Sequence, residues 1–227
     1  MKKTISIILT AVFVAIFGAS TFCIVRHNKE ADKQAELYNN LASVVEAATQ
    51  TDEETEPIET IPYSEEKTLL PELAELFGQN GDLVGWISIA DTNINYPVMQ
   101  SVNEPNFYLK HGFDKEYSDY GCPYVQEDCD VQKPSDNLVI YGHHMKNGSM
   151  FAALEKYTSE EFYREHPEIL FDTLEETGRY QVAAVFKIPG AQITEAFAGT
   201  LLAATEEDYN AFIAGSRRPS GLRKTSE

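Results

Sequence analysis

The chain has 227 residues, a formal net charge of −18 and 11% aromatic residues. That length admits one domain with appendages, the acidic balance without any basic stripe argues against a nucleic-acid partner, and the aromatic content argues against an acidic disordered chain. Three cysteines, Cys23, Cys122 and Cys129, are too few and too scattered for a disulfide scaffold or a zinc cluster.

The N-terminus sets the compartment. Met1-Lys2-Lys3 precedes an almost unbroken apolar run from Ile5 to Val25, closed by Arg26-His27-Asn28-Lys29. A run of about 20 apolar residues can span a bilayer as a helix. Residues 1–28 are therefore expected to form a single-pass membrane anchor through residues 5–25, with the bulk of the chain outside the cell. Gly18-Ala19-Ser20 offers the alternative of a cleavage exit. Cys23 follows the bulky Phe22, which suits membrane filler rather than a lipid-bearing cysteine. Residues 29–68 form a stalk. Ala31, Ala35, Tyr38, Leu41, Val45 and Ala48 recur at helical spacing and predict a short amphipathic helix. Gln50 to Glu66, "QTDEETEPIETIPYSEE", has no period and predicts a solvated acidic linker. Its carboxylates lack the fixed ligand spacing and turn glycine of a calcium site.

The globular part begins near Leu69. "LLPELAELFGQNG" predicts a short helix with proline near its start, closed around Gly78 to Gly81. Trp86 to Ile89 predicts a strand, and Asn93 to Gln100 a second, whose Pro97 suits an edge or a bend. Val125 and Leu138 to Tyr141 mark further strands. Thr158-Ser159-Glu160-Glu161 predicts a capped helix stopping before Pro167. Arg179 to Ile188 places Tyr180, Val182, Ala184, Phe186 and Ile188 on one face and predicts a half-buried strand. Thr205 can cap a last helix that stops at Gly215. Short strands with intervening helical turns, without a βαβ rhythm, predict a mainly β, barrel-like domain.

"NLVIYGHHMKNGSMF", Asn137 to Phe151, carries the chemistry. In an extended segment neighbouring side chains face opposite ways, so His143 and His144 cannot readily share one ligand. A metal would need further ligands, and His111 and His166 sit in unrelated contexts without a ligand spacing; no metal or cofactor is expected. Exposed histidines at a strand end are the plain alternative to an acid–base role for His143. Lys146-Asn147-Gly148 is turn chemistry, and Met145 and Met150 are packing residues rather than a cofactor box.

Three segments, "GWISIADTNINYPVMQ", "NFYLKHGFDKEYSDYG" and "NLVIYGHHMKNGSMFAAL", follow in order over roughly a hundred residues and resemble the catalytic domain of the class B sortases. The resemblance implies a closed sortase barrel after an anchor and stalk, at the membrane of a Gram-positive cell. It implies a transpeptidase that cuts a C-terminal sorting pentapeptide of secreted proteins and passes the acyl group to a cell-wall or pilin amine. It makes His143, directly after Gly142, the catalytic histidine; His144 stands where the family pattern does not demand histidine.

Such chemistry needs three groups. A cysteine thiolate forms a thioester, the histidine moves protons between the departing and incoming amines, and an arginine stabilises the oxyanion, a donor whose loss costs about 2.7–4 kcal/mol of barrier. In the family the cysteine ends a Thr-Leu-x-Thr-Cys strand downstream of the histidine and the arginine lies on the next strand. No cysteine follows His143, and "TLLAAT", Thr200 to Thr205, carries no thiol. After Gly215 the chain becomes the basic "SRRPSGLRKTSE", residues 216–227, which is no strand; Arg217, Arg218 and Arg223 match no family arginine. The expectation is a class B domain over 69–215 that lacks its last barrel strands, through a frame shift or interruption near Ser216, and is poorly folded and inactive. Cys122 and Cys129 are poor substitute nucleophiles, Cys129 standing among the carboxylates of "QEDCDVQ", which blunt a thiol's reactivity; a Cys122–Cys129 disulfide is the alternative use, with unpaired thiols the remaining case. The other function class is a non-catalytic extracellular binding protein on the same scaffold.

Overall fold

The computed structural model describes residues 2–52, 69–131, 138–185 and 187. Its contacts divide the chain into two compact units, Met1–Asn40 and Leu41–Glu227. Helix α1, Lys2–Asp52, runs unbroken where an anchor and a separate stalk helix were expected. The reason is compositional. After Gly18 no glycine or proline interrupts the segment as far as Asp52, and the alanines of its second half are the strongest helix formers. The helix is long and apolar enough to cross a membrane, and Leu9, Phe13, Phe17 and Phe22 on it are exposed. From residue 53 to residue 68 the expected acidic linker lies outside the described residues.

Helix α2, Pro71–Gln79, starts on proline, carries Glu72 in its first turn and ends with the Asn80 N–H donating to the Leu76 carbonyl. Proline at the first helical position loses no bond, and an acidic first turn complements the helix dipole. Leu73 and Leu76, one turn apart, are fully buried. Six strands follow: β1 Leu83–Ser88, β2 Asn95–Met99, β3 Tyr124–Val125, β4 Ile140–Tyr141, β5 Glu168–Thr173 and β6 Arg179–Gln181. They form one sheet in the order β4-β3-β2-β1-β5-β6, so the mainly β expectation holds. Among the described residues the sheet is a curled half-barrel with β4 and β6 at its ends rather than a closed barrel. The expected loss of C-terminal strands, the Thr205-capped helix and the 216–227 tail fall outside the described residues.

The centre of the sheet is β1, flanked by antiparallel β2 and β5. Gly85, Trp86 and Ile87 are buried in succession, which requires cover on both faces. Gly85 admits no side chain: a Cβ there would lie 2.3 Å from the Asp172 carbonyl oxygen. Pro97 is not at an edge, because β2 lies between β1 and β3. Backbone parity explains the tolerance. The Met99 N–H points toward β3, donating to the Pro123 carbonyl at 2.9 Å, so residue 97 turns its nitrogen to the same side. There β2 and β3 pair only at Met99↔Tyr124, and no ladder bond is lost to proline.

Two other expectations shift. The long strand at Arg179–Ile188 is three residues, all exposed, with Val182 alone buried in the stretch that follows; residues 186 and 188 lie outside the described residues. Among the described residues β6 pairs only with β5, and the alternation is not matched by two-sided cover. Helix α3, Glu160–Glu165, is capped by Ser159, whose Oγ accepts from the Phe162 N–H at 3.4 Å. Thr158 belongs instead to the preceding 3-10 helix Phe151–Thr158, its hydroxyl donating to the Glu155 carbonyl at 2.8 Å.

Asn80 ties α2 to the loop that carries the site. Its Nδ2 donates to the Phe113 carbonyl at 2.7 Å and to the Tyr108 hydroxyl at 3.0 Å, while its Oδ1 accepts from the Asp82 N–H at 3.0 Å. Tyr108 Oη donates in turn to Asp82 Oδ2 at 2.8 Å. Burial, with the Asp82 carboxylate adding to it, pushes the Tyr108 hydroxyl well above the ordinary tyrosine range and keeps it a donor. Stripping a buried partner costs more than the bond contributed. Asn80→Ala is expected to destabilise the chain by about 2 kcal/mol, read from urea unfolding of the full chain in non-ionic micelles by the fluorescence of Trp86, its single tryptophan; a change below about 0.5 kcal/mol, the size of an ordinary surface substitution, would refute this role.

Candidate active site

The site is built where β4 ends. Gly142 is obligatory there, because a Cβ would lie 2.5 Å from the Phe151 ring. Phe151 opens the 3-10 helix and its N–H donates to the His143 carbonyl at 2.8 Å. Between them the chain makes the expected turn, with the Gly148 N–H donating to the Met145 carbonyl at 3.0 Å and Ser149 donating through N–H and Oγ to Asn147 Oδ1 at 3.1 and 2.7 Å. Three side chains pin this turn to the sheet. Asn93 Nδ2 donates to the Gly148 carbonyl at 2.8 Å, Asn147 Nδ2 to Tyr120 Oη at 3.2 Å, and the Met150 N–H to Tyr96 Oη at 3.1 Å. Burial raises the Tyr96 hydroxyl above its ordinary value. Met150 is a packing residue, 1% exposed, held at φ +56°.

The two histidines diverge as extended backbone requires. His143 is half-buried, and its Nε2 lies 2.7 Å from the Leu109 carbonyl oxygen. A carbonyl can only accept, so Nε2 carries a proton and Nδ1 is the nitrogen left to gain or lose one. His144 turns to the other side, with Nε2 at 3.3 Å from Glu155 Oε1, and Lys187 pairs with the same carboxylate oxygen. His111 and His166 lie elsewhere. Each hydrogen-bonds through Nδ1 to the carbonyl of a phenylalanine and stacks on that ring: His111 on Phe107, with centroids 3.9 Å apart, and His166 on Phe162 at 4.1 Å.

The disulfide considered above is not formed between Cys122 and Cys129. Cys122 is 2% exposed and its Sγ donates to the Pro97 carbonyl at 3.6 Å, while Cys129 is 9% exposed in the loop after β3. Cys122 is nevertheless a near neighbour of His143 through the backbone. Its N–H donates to the Tyr108 carbonyl at 2.9 Å, one residue before the carbonyl that receives His143. Gly121 makes room for both, since its Cβ would lie 2.5 Å from the Tyr108 oxygen and 2.7 Å from the Leu109 oxygen, at φ +57°. Leu109 and Gly121 had no signal as site residues in the sequence: one contributes only backbone, the other only an absence.

Glu155 gives a titration that tests this geometry. The Lys187 ammonium first, and His144 second, hold its carboxyl below the ordinary glutamate value. A depressed folded value means the contribution is complete above the unfolded glutamate pKa of about 4.3 and is lost as pH falls through the folded one. Carboxyl-carbon NMR of Glu155 is expected to show a larger upward move in Lys187→Ala than in His144→Ala; the reverse order would show that the histidine dominates.

Comparison with known proteins agrees with this architecture. The family model described as the sortase domain matches residues 87–210, more than half of the chain. Sortase B of Listeria monocytogenes is 35% identical over 116 residues, covering 51% of this chain and 47% of the relative. Sortase B of Staphylococcus aureus is 31% identical over 150 residues, covering 66% and 59%. The chain thus spans about half the length of the curated relatives it matches. Among solved structures, the S. aureus sortase B–substrate complex superposes with TM-score 0.68 at 23% identity, covering 88% of this chain and 84% of that one. Sortase B of Bacillus anthracis in complex with AAEK1 superposes with TM-score 0.62 at 24% identity, covering 88% and 85%. With the curled sheet shared in structure and the family match running from β1 past β6, the chain belongs to the sortase family, in its class B.

Proposed function

We propose that His143 is the acid–base residue of a sortase transpeptidase directed at secreted proteins with a C-terminal sorting signal, with a cell-wall or pilin amine as acceptor. In that reaction a cysteine thiol passes its proton to His143 Nδ1 as its sulfur adds to the scissile carbonyl, the peptide C–N bond breaks, and His143 gives that proton to the departing amine. The acceptor amine then attacks the thioester, its proton goes to His143, and the thiolate leaves. The observation that carries the reading is the His143–Leu109 bond, which supports Nδ1 as the nitrogen free for this exchange. Residues 1–28 would hold the enzyme in the membrane, 29–68 would form the stalk and 69–215 the sortase domain outside the cell, an arrangement supported by the apolar α1.

The 227 residues assayed as they stand are proposed to be inactive. No cysteine follows His143; of the three before it, Cys122 and Cys129 are buried, which withholds them from a peptide carbonyl, and Cys23 lies in the apolar N-terminal run. The full chain in non-ionic micelles is expected to leave a quenched sorting peptide uncleaved above the no-protein rate. Thiol-dependent cleavage abolished by Cys122→Ala or Cys129→Ala would overturn the inactivity. Reading the nucleotide sequence past codon 215 in all frames tests the rest: a Thr-Leu-x-Thr-Cys followed by an arginine supports the transpeptidase reading, and its absence favours a non-catalytic binding protein.

A further inference from the structure

Away from His143, a groove of about 570 Å³ runs between the α2–β1 junction, the loop after β3 and the β5–β6 turn. Its volume falls within the range of about 300–1,000 Å³ common to ligand sites. Leu69, Phe77, Val84 and Leu174 line it half-buried, and Val102 is 67% exposed, so apolar surface is open to an occupant. Glu127, Asp128, Asp130 and Glu175 also line it, and none of the described lining residues is basic. Asp130 and Glu175 have other interactions; the charge argument therefore rests on Glu127 and Asp128.

The walls are preformed. Gln100 Nε2 donates to the Gln126 and Cys129 carbonyls at 3.0 and 2.7 Å, fixing the acidic loop. The Leu70 N–H donates to the Leu174 carbonyl at 2.7 Å, fixing the opposite side. Thr173 Oγ1 accepts from the N–H groups of Glu175 and Glu176 at 3.3 and 3.0 Å, holding the β5–β6 turn. Preorganised walls lower the ordering cost of binding. Among the described residues no three His, Cys, Asp or Glu converge on a metal-sized point. The negative charge is instead spread beside an apolar floor, which complements cations and apolar groups strung along one chain.

We infer that this groove is a docking site for a basic, apolar-bearing peptide segment of a partner protein, separate from the acid–base site. The test uses the full chain in dodecyl maltoside micelles and a fluorescent Lys-Leu-Lys-Leu-Lys-Leu peptide, with Glu-Leu-Glu-Leu-Glu-Leu as its counterpart, read by anisotropy. The Lys-Leu peptide is expected to bind and the Glu-Leu peptide not. Its Kd should rise at least about fivefold in Glu127→Gln/Asp128→Asn and in Val102→Ser, and also with salt raised from about 0.05 to 0.3 M, as screening requires. Kd values within twofold across wild type and both variants, or equal binding of the two peptides, would overturn the inference. So would a fivefold gain in affinity on deleting residues 216–227, which would make the chain's own basic segment the occupant. Self-association by sedimentation, relieved by Val102→Ser, would make it a second copy and equally reject a partner protein.

Discussion

The organisation of the site rests on two consecutive backbone carbonyls. At the end of the 3-10 turn Phe107–Leu109, the Tyr108 oxygen accepts from the Cys122 N–H and the Leu109 oxygen from the His143 imidazole. Both oxygens would lie within 2.7 Å of a Cβ at Gly121, a distance no side chain tolerates. A backbone acceptor is a good orienting partner for an imidazole. It cannot titrate, it cannot rotate away independently of the chain, and it fixes which ring nitrogen bears the proton. Holding the ring this way selects a tautomer without placing a charge beside it.

That turn is itself fixed from below. Tyr108 is 1% exposed and reaches Asn80 and Asp82, so the C-cap of α2 and the start of β1 determine where the Leu109 carbonyl stands. From the other side, the loop bearing His143 is held by Asn93, Tyr96 and Tyr120. The histidine is thus clamped between two loops that each depend on the sheet. This is how precision reaches a residue on irregular backbone: the scaffold is rigid and the loops borrow its rigidity through hydrogen bonds. Glu155, which receives His144 and Lys187, secures the far side of the same turn.

Much of the local structure was legible. The Pro71 start of α2, the strand at β1 and the turn at Lys146–Gly148 follow from residue type and spacing, and each depends on neighbours within a few positions. Two of the differences share a tertiary cause. Pro97 belongs in an interior strand because β3 runs beside only the last residue of β2, a fact of strand pairing. Among the described residues of Arg179–Ile188 the strand is short and exposed and pairs only with β5, because alternation becomes burial only under cover that pairing supplies. The continuity of α1 has a local cause instead, since no glycine or proline follows Gly18 as far as Asp52.

Residue order alone determined an apolar N-terminal segment long enough for a bilayer, a mainly β domain, and a histidine following a glycine at a strand end. It determined also that no thiol follows that histidine in these 227 residues. Tertiary structure decided what the histidine leans on. Leu109 lies 34 residues away and contributes a carbonyl, a group every residue carries, so no pattern of side chains could have marked it. It also decided the state of the mid-chain thiols, which is a matter of packing around Cys122 and Cys129 rather than of their spacing. Side-chain chemistry is written in the one-dimensional code; the use of backbone atoms and of empty space becomes visible only when the chain has folded onto itself.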